Sequence, residues 1–302
     1  MTTYNTPLEL PYFAPAPAPL PTYHEIIAHA SLNKTSATKQ RRRARDVIQI
    51  GEHFIVKYGK HIDFLEGENM LIVRHHTSIP VPTLYAMYQH EPSGDKVIVM
   101  EYVPGTLLSS CYSAMSSAQK ASIAGQLRRY LAELRNKIPS AGLFGSPGAR
   151  PYVAHTWTFK RPAGPFASAG EFVDAYFAAH FSDASPAARN GIEELKTGLL
   201  ALGAGHSASV FTHADLQTQN MILRRDGSIC IIDWESASFC PGYFEFFMYG
   251  TLDLVTEGGL EGEGETEKRN LLRYAEMVKV CFEAWHIYFE DRDIVGKIKP
   301  LE

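Results

Sequence analysis

Apolar and polar positions alternate in short runs over the first third of this chain and recur at helical spacing over the rest. Residues 1–22 carry Pro7, Pro11, Pro15, Pro17, Pro19 and Pro21, which exclude a helix interior or a centrally paired strand. They read as an extended arm or a disordered leader. Tyr23 to Ala30 reads as a short helix. Val47 to Ile50 and His53 to Tyr58 read as two strands about a Gly51-Glu52 turn. Asp63 to His75 carries Phe64, Leu65, Met70, Leu71 and Val73 on a helical pattern. Thr83 to His90 and Lys96 to Val103 are strands flanking the Pro92–Asp95 turn, and Pro104-Gly105 stops the second.

Beyond that stop the pattern turns helical. Ser116 to Gln119 is a capping box opening a helix to about Lys137, with Ile123, Leu127, Tyr130, Leu131 and Leu134 on its core face. A Gly- and Pro-rich loop covers 141–165. Ser168 to Glu171 is a second capping box, ahead of Phe172, Tyr176, Phe177 and Phe181. A third helix is predicted from Pro186 to about Leu202. Val210 to Thr212 is a buried strand, and Asp226-Gly227 turns a hairpin between Met221–Leu223 and Ser228–Ile232. A Gly- and Glu-rich loop at 257–265 precedes a closing helix from Thr266 to Phe289.

The composition narrows the class. The chain has 302 residues, is 45% hydrophobic and 21% charged, and has a net charge of −4. That supports one large domain or two intimate lobes. The mild acidity excludes a typical nucleic-acid binder. Cys111, Cys230, Cys240 and Cys281 are far apart, without a zinc or disulfide pattern, and fit a reducing compartment. No apolar run reaches the length of a membrane span. The expectation is a cytoplasmic protein. Arg41, Arg42, Arg43 and Arg45 form either a solvated basic face or a phosphate-facing segment.

The chemistry concentrates in His213-Ala214-Asp215-Leu216, Asn220 and Ile232-Asp233-Trp234. Asp215 and Asn220 lie five positions apart, and Asn220 and Asp233 thirteen, which is the protein-kinase spacing. In that signature the first Asp serves as base while the Asn and the second Asp hold magnesium on a nucleotide triphosphate. Lys57 closes an apolar strand, where an ammonium can reach phosphates. Glu66 and Glu68, on the next helix, are both candidates to pair with it. The backbone of Glu101, Tyr102 and Val103 forms a candidate hinge for an adenine edge. His213 reads as structural. Glu235, Glu245 and the 257–265 loop are either surface or helix-packing acids or attractants for a cationic acceptor.

Several stretches together resemble the aminoglycoside phosphotransferase and choline-kinase-like family. They are His213–Leu216 with Asn220, Ile232–Glu235, Val56–Gly59, Glu66 with Met70, Thr77–Pro82 and Met100–Gly105. The resemblance implies an α+β, protein-kinase-like two-lobe fold, with a small antiparallel-sheet lobe over residues 23–103 and a larger, mainly helical lobe over 104–302. It favours Glu66 as the partner of Lys57. It also implies ATP and Mg2+ as cofactors and a hydroxyl-bearing small molecule as acceptor. Trp234 after the metal-binding Asp, and the lack of an A-P-E segment, speak against a protein substrate. Ala214 stands where the family usually has Gly. No glycine precedes Gly51, so a phosphate-covering glycine loop is missing in its usual form. Asn33 to Lys39 is the candidate substitute. The alternative is a catalytically weak or inactive nucleotide-binding scaffold.

Overall fold

A computed structural model describes residues 7–32, 46–154, 158–181, 196–197, 200 and 207–245. The Arg41–Arg45 run, Asn33 to Lys39, the acidic loop and the closing helix lie outside them. Of the helix expected over 186–202, residues 196–197 and 200 are described, and all three are helical.

A five-stranded antiparallel sheet forms the first half. Its strands are β1 (Tyr12–Phe13), β2 (Asp46–Ile50), β3 (Phe54–Gly59), β4 (Leu84–His90) and β5 (Asp95–Glu101), in the order β1-β4-β5-β3-β2. Alternation on β3 decides what each face does, because successive side chains point to opposite sides. Phe54, Val56 and Tyr58 are buried in a cluster with Ile26 and Ala30 of α1 (Tyr23–Leu32). Lys57 and Ile55 therefore face the other way, toward α2 (Leu65–His76) and the second half of the chain.

The proline-rich arm is extended and docked on this sheet. Tyr12 and Phe13 pair with Met87 and Ala86, and the Ala14 N–H donates to the Tyr85 carbonyl at 2.9 Å. Ala16, Ala18 and Leu20 pack against the α1 cluster. Prolines are tolerated here because an edge strand leaves one side of its backbone unpaired.

β5 ends at Glu101, two residues before the expected end at Val103, and the Tyr102 N–H donates to the His53 carbonyl at 2.8 Å. The chain then enters β6 (Thr106–Leu107), α3 (Leu108–Cys111) and α4 (Ser117–Lys137). Ser116 and Gln119 form the reciprocal capping box at the start of α4, by side-chain-to-backbone bonds in both directions. The apolar face of α4 (Ile123, Leu127, Tyr130, Leu131, Leu134) joins α2, β4 and β5 in the largest cluster, which also holds Met221, Ile229, Ile231 and Trp234. A second, aromatic cluster gathers Tyr152, Phe159, Phe172, Tyr176 and Phe244 around α5 (Ala169–Phe181). Among the described residues, no helix is long and apolar enough to cross a membrane.

Three short strands carry the loops of interest: β7 (Ser209–Thr212), β8 (Met221–Leu223) and β9 (Ile229–Ile231). β8 and β9 pair antiparallel about Gly227, whose φ is +81°, as the Asp-Gly turn requires. β10 (Ser238–Pro241) pairs with β7, and β6 pairs with β8. The last pairing brings the segment after β5 against β8. There Gly105 approaches so closely that a Cβ would lie 2.5 Å from both Ile222 Cγ2 and the Leu223 carbonyl oxygen. Gly105→Ala should lower unfolding free energy by about 1–3 kcal/mol, since the backbone itself must move. Urea denaturation of the full chain measures this; a change within error would show that the β6–β8 junction yields freely.

Candidate active site

The left-handed backbone of Asp233 marks the centre of the site. Its φ and ψ are 65° and 58°, a conformation that Asp tolerates better than most residues with a Cβ. It follows β9, and its side chain meets Lys57 from β3. The Lys57 Nζ lies 2.6 Å from Asp233 Oδ1 and 2.7 Å from Glu66 Oε1. One ammonium thus joins the sheet, α2 and the end of β9. Burial works against its charge, but Glu66 and Asp233 outweigh that and raise its pKa. Burial pushes the Glu66 carboxyl up to about 7 against the pull of Lys57. Glu235 lies close by: Glu66, Asp233 and Glu235 each place a carboxylate oxygen within 4.8 Å of the others.

Glu68 has a different partner. Its carboxylate takes the Arg150 guanidinium and, at 3.0 Å, the Leu8 N–H. Two positions along a helix turn a side chain by about 200°, so Glu66 and Glu68 cannot share a face. Asn69, three residues after Glu66, does share its face. It is fully buried, and its Nδ2 donates to the carbonyls of Trp234 and Ala237, each at 2.8 Å. Two further ties hold the segment after α2. Ser78 donates from its N–H and hydroxyl to Glu133 of α4, both at 2.6 Å, and the Ile231 N–H donates to the Pro80 carbonyl at 2.9 Å.

Asp215 lies on the loop after β7. Its Oδ1 accepts from Gln217 Nε2 at 2.5 Å, and its Oδ2 from Asn220 Nδ2 at 3.0 Å. Asn220 closes a 3-10 turn (Thr218–Asn220) that runs into β8. Its carbonyl accepts the Ile232 N–H at 2.9 Å, which sets Asn220 beside the residue before Asp233. Asp215, Asn220, Asp233, Lys57 and Glu66 are thereby held by one connected set of strand ends and hydrogen bonds.

The loop rests on two buried groups. His213 donates from Nε2 to the Ile232 carbonyl at 3.1 Å and accepts the Asp215 N–H on Nδ1 at 3.2 Å. Burial lowers its pKa to about 4, so the ring is neutral and braces the loop edge-on against Trp234. Glu245 is not a surface acid. It is buried beneath the loop, where its Oε2 accepts the N–H groups of His213 and Ala214 at 2.9 and 3.3 Å. Burial raises its pKa to about 7. Ala214 sits at φ 63°, the left-handed conformation that explains why a glycine is usual there.

The residues expected to form a hinge are partly engaged. The Glu101 N–H donates to the Thr83 carbonyl at 2.9 Å, and its carboxylate takes the Thr83 N–H and hydroxyl at 3.0 and 2.8 Å. The Tyr102 N–H is used by His53. Of the three hinge amides, only that of Val103 has no partner among the described residues.

Asn69 and Gln217 escaped the sequence reading, and Glu245 entered it only as a surface or helix-packing acid or an attractant for a cationic acceptor, not as a support of the loop. Asn69 had left a signal: it is a polar residue spaced four from Leu65 and Val73, on the core face of a helix. Gln217 and Glu245 had none, because their partners are backbone groups or lie within an irregular loop.

A family model described as the phosphotransferase enzyme family matches residues 65–276. No curated protein matches the chain. Solved structures that do include aminoglycoside phosphotransferase APH(4)-Ia, at 13% identity and TM-score 0.46, covering 80% of this chain and 88% of that one. Another is the streptomycin–ATP–APH(2")-IIa ternary complex, at 16% identity and TM-score 0.44, covering 75% of each chain. A third is the GDP complex of aminoglycoside 2'-phosphotransferase-IIIa, at 12% identity and TM-score 0.48, covering 85% and 87%.

Asn69→Ala should cost about 3 kcal/mol in urea denaturation, because two buried carbonyls lose their donor. A second expectation concerns pH. Glu245 holds its proton more tightly folded than unfolded, so the stability of the wild type falls as pH rises from 4.5 through about 7. Glu245→Gln lacks that fall. Its stability relative to wild type should therefore improve by up to about 3 kcal/mol between acid and pH ~8. Parallel curves would place the ionised carboxylate comfortably in its site.

Proposed function

The chain belongs to the phosphotransferase enzyme family, and from that premise we propose that it transfers the γ-phosphoryl group of ATP to a hydroxyl of a small molecule, with Mg2+. The observation that supports this most is the Lys57 ammonium bridging Glu66 and Asp233 at contact distance. An ammonium has three N–H donors, and two are used here. The third is available to a phosphate oxygen. Glu66 holds the lysine in that position.

Asp233 and Asn220 fit a magnesium ion. They supply a carboxylate and an amide oxygen, the hard donors that magnesium prefers. Asn220 spends its Nδ2 on Asp215, which turns its carbonyl oxygen away from that residue. When bound, the ion neutralises charge on the β- and γ-phosphates. Val103 offers its N–H to the purine edge, with the Glu101 and Tyr102 backbone beside it.

Asp215 accepts the hydrogen of the acceptor hydroxyl and orients it. A bond forms between the hydroxyl oxygen and the γ-phosphorus as the bond from that phosphorus to the bridging oxygen breaks. The electron pair leaves with ADP and the hydroxyl proton passes to the Asp215 carboxylate. A carboxylate is a weak base, so placement carries much of the effect. Asp215→Ala should lower acceptor-dependent ADP release by about 100- to 10,000-fold while leaving nucleotide affinity within a few-fold. The assay uses a panel of amino alcohols, aminoglycosides and sugars, with Asp233→Ala as blank. Undiminished turnover in Asp215→Ala would remove that residue from the mechanism. Silence of the wild type across the panel, without nucleotide binding, would favour a scaffold.

A further inference from the structure

Gln217 bonds Asp215 from both its main chain and its side chain, and bonds Asn220 as well. Its main-chain N–H donates to the Asp215 carbonyl at 2.9 Å, and its own carbonyl accepts the Asn220 N–H at 2.8 Å. Its side-chain Nε2 donates to Asp215 Oδ1 at 2.5 Å. Asn220 completes the ring, its Nδ2 donating to the Asp215 carbonyl at 2.8 Å and to Oδ2 at 3.0 Å. Gln217 is buried, so this amide is part of the loop interior rather than a solvated side chain that happens to reach across.

The terminal torsion of an Asp side chain is broad and roughly two-fold, so an unassisted carboxylate rocks about it. One amide donor on each oxygen fixes the plane. We infer that Gln217 is a positioning residue for phosphoryl transfer: its side-chain amide, opposite that of Asn220, locks the Asp215 carboxylate in one plane. Asn220 alone cannot do this. Its Nδ2 is shared between two Asp215 oxygens, and its other end belongs to the proposed metal site. The inference rests on the reading of Asp215 as the group that meets the acceptor.

Gln217→Leu is close in volume and removes the side-chain donor, while the main-chain bonds of residue 217 to Asp215 and Asn220 can stay in place.

The test has two readouts on the full chain. The first is NMR of the Gln217 side-chain amide at one fixed pH, its signal identified by its loss in Gln217→Leu. We expect that amide to exchange slowly with solvent, and its signal to move when Asp215 is replaced by Ala. The second is kinetic. We expect kcat of Gln217→Leu to fall roughly 10-fold or more, with KM for Mg-ATP unchanged, and Gln217→His, which retains an N–H donor, to recover part of it. A Gln217 amide signal that exchanges freely and does not move in folded Asp215→Ala overturns the inference whether or not an acceptor has been found. Turnover in the wild type that Gln217→Leu matches in kcat overturns it as well. A wild type without turnover but with the expected NMR shift would sustain the clamp and count against the proposed reaction instead.

Discussion

The Lys57 ammonium is the point on which this structure turns. It lies between two carboxylates from elements far apart in the chain, Glu66 nine residues on and Asp233 at the end of β9. Removing the ammonium would leave two facing carboxylates without their countercharge, at a cost of about 3–5 kcal/mol. The arrangement therefore persists only if the sheet, α2 and the β8–β9 hairpin are each held from behind. The fold supplies those supports: alternation on β3 points Lys57 away from the α1 cluster, and Asn69 fastens α2 to the Trp234–Ala237 segment.

The same supports determine which parts move together. α2 belongs to the sheet by sequence, but its buried polar bonds run to the other half of the molecule. Asn69 reaches two carbonyls after Asp233, Glu68 pairs with Arg150, and the segment leading to β4 is held by Glu133 and Ile231. Glu66 is thus fixed relative to Asp233, and Lys57 is the member that arrives from the sheet. The Asp215 loop is supported in the same way, from His213 and Glu245 below and from Gln217 and Asn220 at its own level.

Much of this was legible in the sequence, for identifiable reasons. Strands β2 to β5 and helices α2 and α4 follow directly from hydrophobic period, and the Asp-Gly turn fixed the β8–β9 hairpin. The motif spacing singles out Asp215, Asn220 and Asp233, which neighbouring strand ends hold close together. Glu66 and Glu68 could not be separated by pattern alone, since both lie in the first turn of one helix; the rotation between them decides the matter. The docking of the arm was hidden because prolines carry no periodic signal. Glu245 looked like a surface acid because its partners are main-chain amides, which no sequence pattern records. Ala214 was visible as a departure from the family, and its left-handed φ shows what the departure costs.

The account stands most directly on whether the Lys57–Asp233–Asn220 arrangement binds a nucleotide through a metal. Calorimetric titration of a non-hydrolysable ATP analogue into the full chain, with and without Mg2+, tests this without an acceptor. The account predicts saturable one-to-one binding that Mg2+ strengthens by at least about tenfold, roughly 1.4 kcal/mol. Binding indifferent to Mg2+, or none at all, would contradict it.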